Sequence, residues 1–483
     1  MGDRGAEHAA PTELEEITSR ISDLTKWREI FSFHGLEVNS TTHQGTPFPK
    51  QGRSSAGNGP PGAGESPGSQ PPSTIPQPLL PPQSVGGCPI SLDTAMRLQK
   101  LLFRNMTPLF SFEWAAAHFR FRPPHSDLAY ALEAGKGGTR AILVAVQAHI
   151  ISYLLFTRET ECTQLERLCR VGQWEQGQAL ATALAETLWA AGGGGRAVVC
   201  LITAPITMMP PREGYRANSF TERIQLFEFS EKAAAQGFIS DHIHCFKGEG
   251  SHGVILFLYS LLFSRTLERV QEDLGDTAPL LNISSGNITC TEAVLSLLLT
   301  GRASPWELGG SQELESGTGD GDGEAPWQRG PVGFLRWERA PVERQVSAGA
   351  APWTAGPPPG PWAWQSPVPA KGPRAQVSPG LRTPRLPVWL CSVSGRHSVL
   401  FGTDSRLLSD WKSERIFHLY FYSGQQEQTQ TAHLTIDTHS HHWEEAQRED
   451  PSSPRKRHPA LEMAIRTKWA GATVSWNGTD PFF

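Results

Sequence analysis

Two stretches of this chain are too rich in glycine, proline and small polar residues to enclose a hydrophobic core, and they fix where folding can happen. Residues 39–86 include "GNGPPGAGESPGSQPPSTIPQPLLPPQ", and residues 304–382 hold "GTGDGDGEAPW" and "APWTAGPPPGPWAWQSPVPAKGP". Such composition cannot offset its chain entropy by burial and is expected to be disordered. Within the second stretch only "VGFLRWE" looks foldable. Length alone would suggest about three domains, but the uneven spread of glycine and proline leaves roughly 300 residues for folding. The chain then divides into five parts. In 1–38, Leu14, Ile17, Ile21, Leu24 and Trp27 recur as the stripe of an amphipathic helix. A linker (39–86), a first folded part (87–303), an insert (304–382) and a second folded part (383–483) follow.

Order begins at "CPISLDTAMRLQKLLF", where Ser91 caps a helix, Asp93 suits its positive end, and Ala95, Leu98, Leu101 and Leu102 form the apolar face. In "ALEAGKGGTRAILVAVQAHIISYLLF" a glycine pair opens directly into a long apolar helix. "QALATALAETLWAAGGGGR" is a helix stopped by glycines, while "AVVCLITA" and "RIQLFEFS" read as strands. "VILFLYSLLFSRTLERVQEDL" reads as one helix, apolar first and amphipathic later, and "CTEAVLSLLLTG" as a short buried helix closed by Gly301. After the insert, "LPVWLCSVS", "HSVLFG", "IFHLYFYS" and "AHLTIDTH" have strand character. Helices in the first half and an antiparallel sheet in the second imply an α+β domain.

A net charge of -5 offers no attraction for nucleic acid or an anionic membrane. The basic run "PRKRH" (Pro454 to His458) reads as a solvated loop, with a nuclear signal as the lesser alternative. The N-terminus is polar and acidic, without an apolar signal segment, and Ala6 stands where myristoylation would want Ser or Thr. The apolar runs Ala141 to Phe156 and Val254 to Phe263 are shorter than the ~20 residues that span a bilayer, and Gln147 and His149 interrupt the first. The expectation is an intracellular protein, cytoplasmic, with the nucleus left open by the basic run. Seven scattered cysteines without CxxC spacing indicate neither a disulfide framework nor a zinc ribbon. The sequons at Asn39, Asn282, Asn287 and Asn477 are then idle.

No cofactor and no metal are expected. His242, His244 and Cys245 in "DHIHCF", and His439, His441 and His442 in "HSHHWEE", lack a second pair at ligand spacing and read as a strand face or solvated loop. "DGDGE" (Asp320 to Glu324) lacks the closing glutamate of a calcium loop, since Pro331 stands at the twelfth position.

"KGGTRAILVAVQAHIISYLLF" resembles the nucleophile helix of the MINDY deubiquitinases, whose loop reads Gln-x-Lys-Gly-Gly-Pro-Cys before an apolar helix. Further matches run in order: "PISLDTAMRLQKLLF", "CTEAVLSLLLTGRA", "TPRLPVWLCSVS", "SVLFG", "LLSDWKSERIFHLYFY", "LTIDT" and "IRTKWAGATVSWNGTDPF". The resemblance covers residues 88–303 and 383–483, and the tail from Leu407 to Phe483 is especially close to the family's fourth member. It implies a papain-like cysteine peptidase fold and cleavage of isopeptide bonds in the polyubiquitin chains that mark proteins for the proteasome. In such enzymes a thiolate attacks, a histidine from the second half moves the proton, and a glutamine helps to stabilise the oxyanion.

Against that pattern three positions depart. The cysteine slot is Arg140, whose guanidinium has no deprotonated form near neutral pH, and which places positive charge at the positive end of a helix. The glutamine slot is Ala134, which has no side-chain donor. The family's Cys-Ser-x-Ser-His-Phe-Ser is "CSVSGRHSVLF" here, with one extra residue, so the histidine slot is Gly395 or Arg396 and His397 is its neighbour. A one-residue shift in a strand reverses a side chain, unless a bulge restores it. His397 is therefore a candidate relic of the base. Thr139 stands for the family's proline and is expected to cap the helix rather than to attack. Cys162, Cys169 and Cys391 lack the glycine-loop-to-helix setting that lowers a thiol pKa. The expectation is a degenerate MINDY domain that is catalytically inactive. Its partners are expected to be ubiquitin or polyubiquitin chains, other protein partners being unknown, with neither nucleic acid nor membrane among them. The alternative is a working isopeptidase using rearranged residues: Thr139, His397 and one of the cysteines.

Overall fold

The structure is a computed structural model that describes residues 86–104, 109–158, 165–202, 215, 217, 218, 220–275, 279–305, 307–309, 329–338, 377–440 and 459–479. The amphipathic stripe of residues 14–27, the linker to residue 85, the "DGDGE" run, the basic run, Cys162, His441 and His442 lie outside these residues.

Helix α1 (Leu92–Phe103) begins as its sequence dictates: the Ser91 hydroxyl accepts from the Thr94 N–H at 3.1 Å, and Ala95, Leu98, Leu101 and Leu102 turn inward. A short α2 (Phe112–Ala116) leads to α3 (Arg140–Ser152), every residue of which is buried, and α3 continues into a π-helical turn over Tyr153–Thr157. By length and composition the segment Arg140–Thr157 could cross a membrane, yet 83% of it is buried within the protein, as befits a core helix. Helix α4 (Gln173–Ala191) packs beside it and ends at Gly192, where an added Cβ would fall 1.8 Å from the Arg196 carbonyl oxygen. Strands β1 (Cys88–Pro89), β2 (Ala197–Ile202) and β3 (Ile224–Phe229) form a small antiparallel sheet in the order β1-β3-β2.

Two sequence expectations are corrected in this half. "DHIHCF" is helical, not extended: His242 ends the helix Lys232–Asp241 and His244 opens another, so the two rings do not share a strand face. The predicted single helix from Val254 is two, α5 (Gly253–Arg265) and α6 (Leu267–Leu274), broken at Thr266 with φ 73. The break has a packing cause. Helix α5 is buried on all sides and lies on β2, whereas α6 buries only Leu267, Val270 and Leu274 and must turn to face its one stripe inward. A hairpin follows, β4 (Leu281–Ser284) and β5 (Asn287–Cys290), joined by Ser285 and Gly286, both at positive φ. Helix α7 (Glu292–Thr300) is closed by Gly301 at φ 77.

The second half is a six-stranded sheet in the order β11-β10-β9-β8-β7-β6. Its strands are β6 (Gly333–Trp337), β7 (Val388–Val393), β8 (Arg396–Phe401), β9 (Ile416–Tyr422), β10 (Ala432–Asp437) and β11 (Thr473–Ser475). All pair antiparallel except β6, the foldable "VGFLRWE", which joins β7 in parallel. The two-residue period of the strands divides their side chains cleanly. Val388, Leu390, Val399 and Phe401 join the core under α3, while Trp389, Cys391, Leu400 and Leu419 face the other way. That second face is covered by α8 (Ala460–Arg466) through Leu461, Ala464 and Ile465. Helix α3 therefore packs on β7 and β8 along one side and on α4 and α7 along the other. Its N-terminus opens where the helical half meets the sheet.

Candidate functional site

The loop entering α3 is shaped by close approach. An added Cβ on Gly137 would fall 1.6 Å from the Glu113 carboxylate, and one on Gly138 would fall 1.6 Å from the Ile288 carbonyl oxygen. A side chain at Gly138 would require backbone displacement, whereas one at Gly137 would push the Glu113 carboxylate aside. The Gly138 N–H donates to Glu113 Oε1 at 2.9 Å, and the Trp114 indole N–H donates to the Ile288 carbonyl at 2.8 Å, which fixes the β4–β5 hairpin over the glycine.

Arg140 is the first residue of α3 and is only 9% exposed. Its guanidinium turns away from the helix and donates to four backbone carbonyls. Nη1 reaches Ala134 at 2.6 Å and Gly135 at 3.1 Å, Nε reaches His397 at 3.1 Å, and Nη2 reaches Ser423. These carbonyl dipoles counter the unfavourable field of the helix N-terminus. Burial is the first cause lowering the Arg140 pKa from its ordinary value; Tyr422 opposes it and Arg396 adds to it. The Arg140 backbone N–H donates to the Gly137 carbonyl at 3.2 Å, so the amide that would face an oxyanion already has an acceptor.

Thr139 does not cap the helix as predicted: its backbone is already helical (φ -79, ψ -11) and its hydroxyl makes no capping bond. Its carbonyl serves instead, accepting from the Ile142 and Leu143 N–H groups. Ala134 is buried against the loop after β9. Its N–H donates to the Gly424 carbonyl at 3.0 Å, and Gly424 holds φ +79, where an added Cβ would fall 3.0 Å from the Ala134 methyl.

His397 is the second residue of β8. The extra residue in "CSVSGRHSVLF" is absorbed by a tight turn over Ser394 and Gly395, both at positive φ, and not by a bulge. The register stays regular, with His397 opposite Ser392. Alternation places His397 on the face of Val399 and Phe401, and its half-buried ring lines a cleft together with Arg140. Burial, then the Arg140 charge, then that of Arg336, push its pKa down to about 4, so the ring is neutral at neutral pH.

The cleft encloses about 750 Å³ in front of α3. It brings Arg140 and His397 together, whereas Ala134 is buried and does not line it, its carbonyl accepting from Arg140. It also contains a thiol that the sequence reading passed over. Cys290, at the end of β5, lines the cleft, donates weakly to the Gly138 carbonyl at 3.6 Å, and is pushed up to about 12 by burial. The signal that could have found it was the Ser-Gly pair of "NISSGNITC", a two-residue turn between β-branched residues. No local pattern announces Glu113 or Ser423. Cys391 points into the second core, and Cys169 donates to the Asp127 and Leu165 carbonyls. As arranged, the site offers hydrogen-bond donors, a neutral imidazole and positive charge, with a guanidinium on the first residue of α3 and the Cys290 thiol beside the loop before it.

A glycine loop running into a buried helix, faced across a cleft by a histidine strand of a separate sheet, belongs to a mixed α/β domain. The family model for the deubiquitinating enzyme MINDY-3/4 conserved domain matches residues 99–478, and the chain belongs to that family. It is similar to proteins named "Probable ubiquitin carboxyl-terminal hydrolase MINDY-4". The identity is 32% over 399 residues to that of Mus musculus (81% of this chain, 47% of the relative). It is 32% over 403 residues to that of Xenopus tropicalis (83% and 47%) and 31% over 399 residues to that of Homo sapiens (81% and 46%). The chain thus spans about half the length of the curated relatives it matches. No solved structure matches.

Proposed function

We propose that this chain is a pseudo-deubiquitinase: a degenerate papain-like MINDY domain that has lost isopeptidase chemistry and retains a ubiquitin-binding role in the cytoplasm or nucleus. Its relatives carry the name of probable ubiquitin carboxyl-terminal hydrolases, which supplies the ubiquitin side of the reading. One observation carries the rest. At the position from which a thiolate would attack, Arg140 spends its guanidinium on four backbone carbonyls. A guanidinium has no lone pair to attack with. The oxyanion side is also unsupported, since Ala134 has no donor and a lost donor of this kind costs ~3–4 kcal/mol of transition-state stabilisation. Cys290 favours a second reading, an isopeptidase with a rearranged nucleophile, because it shares the cleft with His397. A thiol held near 12 is protonated at neutral pH, which weighs against it.

Three measurements on the purified chain test the proposal. Polyubiquitin chains should remain intact, a cysteine-reactive ubiquitin probe should form no adduct, and ubiquitin or its chains should bind. Probe adduct formation that disappears in Cys290→Ala would replace the proposal by the second reading. Absence of binding to mono- and polyubiquitin would leave only a scaffold.

A further inference from the structure

The charges around the cleft are unevenly engaged. Its carboxylates have partners: Glu113 accepts from the Gly138 N–H, Glu292 pairs with Arg336 at 2.9 Å, and Glu338 is likewise engaged. By formal charge its lining holds four cations, Lys136, Arg140, Arg336 and Arg396, against the three carboxylates. Lys136 and Arg396 stand exposed at the rim with no carboxylate partner among the described residues. Arg140 holds its charge among neutral carbonyls, and Arg336 leaves a buried Nε without an acceptor. The positive end of α3 opens onto the same space. The cleft is therefore poised for an anion. A thiolate at position 140 would repel a carboxylate, whereas the guanidinium attracts one, so the substitution that removes the nucleophile also inverts the preference for charge at the cleft floor.

We propose, building on the ubiquitin-binding reading, that the cleft receives the free α-carboxylate at the end of a ubiquitin tail, with Lys136 and Arg396 as the rim contacts and Arg140 supplying field from beneath. An isopeptide-linked tail would bring a neutral amide to this place; a free tail brings a full negative charge. The protein thus selects unattached ubiquitin or unanchored chains over ubiquitin joined to a substrate.

The test is calorimetric titration of the full chain with ubiquitin bearing its native C-terminal carboxylate, beside ubiquitin of the same length ending in a carboxamide. The carboxylate form should bind about tenfold more tightly, and added salt should narrow the gap. Lys136→Glu with Arg396→Glu, two exposed changes checked for folding by circular dichroism, should abolish the preference for the carboxylate over the carboxamide form. Equal affinities for the two forms overturn the carboxylate proposal and leave the ubiquitin reading standing. Binding of neither form overturns both. A preference that survives the double charge reversal overturns the assignment to this cleft.

Discussion

Replacing Arg140 by cysteine tests whether the guanidinium holds the two halves of the domain together. It joins its own loop, through Ala134 and Gly135, to β8 through His397 and to the end of β9 through Ser423. The Ala134 and Ser423 bonds are buried; the other two lie within reach of cleft water. A buried carbonyl stripped of its donor costs about 1–3 kcal/mol, so these two positions together lose about 2–6 kcal/mol. Relief of the desolvation of the buried guanidinium opposes this. Since the partners left behind are neutral, the opposing gain does not cancel the loss, and a net destabilisation of about 2–4 kcal/mol is expected. For a domain of roughly 300 residues that is a fall in Tm of about 3–6 °C. Urea denaturation of Arg140→Cys, Arg140→Met and Arg140→Lys should show all three less stable. Lysine should recover only part of the loss, because an ammonium cannot fork among separated carbonyls. If Arg140→Cys and Arg140→Met both unfold within about 0.5 kcal/mol of the native chain, as an ordinary surface substitution would, the reasoning is wrong.

The other perturbations follow from the same cleft. Ala134→Gln forces a longer side chain into the contact with Gly424 and should cost about 1–3 kcal/mol in thermal unfolding; an unchanged Tm would show that this contact yields freely. The double change Arg140→Cys with Ala134→Gln should restore no chain cleavage, since the amide of residue 140 is already bonded to Gly137; measurable turnover would refute this. His397 and His149 both hold depressed pKa values through burial first. The folded chain then binds fewer protons than the unfolded one, so stability is level above about pH 6.5 and falls as pH drops toward 4, by up to about 3 kcal/mol for His397. His397→Asn should make that acid slope shallower in urea titrations; an unaltered slope would remove His397 from the account. Cys290 should react with iodoacetamide far more slowly than the exposed Cys88, and comparable labelling of the two by mass spectrometry would contradict its half-buried, protonated state.

Where local pattern and tertiary packing agree, the sequence was legible. Ser91 and its helix, the glycine stops of α4 and α7, and the four strands β7 to β10 stand where periodicity and capping put them. The reading failed where packing decides. Thr266 breaks a run that looks continuous, because the two sides of the break have different buried faces. His242 and His244 have strand-like spacing yet sit at helix ends. The parallel pairing of β6 depends on a strand reached only across the glycine- and proline-rich insert, so nothing near "VGFLRWE" specifies it. For the site, Arg140, Ala134 and His397 came from family resemblance. Which way His397 points was settled by the Ser394–Gly395 turn, whose two positive φ values absorb the extra residue without disturbing the register. The four carbonyls around Arg140 had no sequence signal at all, because two of them lie more than 250 residues away along the chain.

That distance gives Arg140 a structural task across the domain. A loop whose carbonyls face inward needs donors, and a side chain that reaches Ala134, Gly135, His397 and Ser423 at once supplies them to both halves of the domain. The imidazole beside the guanidinium is kept neutral near neutral pH by burial first and by the Arg140 charge second, and Ala134 is bonded to Gly424 through its N–H. Under the proposed reading, the same residue that ends the chemistry becomes part of what keeps the cleft in shape. Selection for stability would then act to retain Arg140 even where no selection for hydrolysis remains, and a return to cysteine would first have to cross a less stable domain.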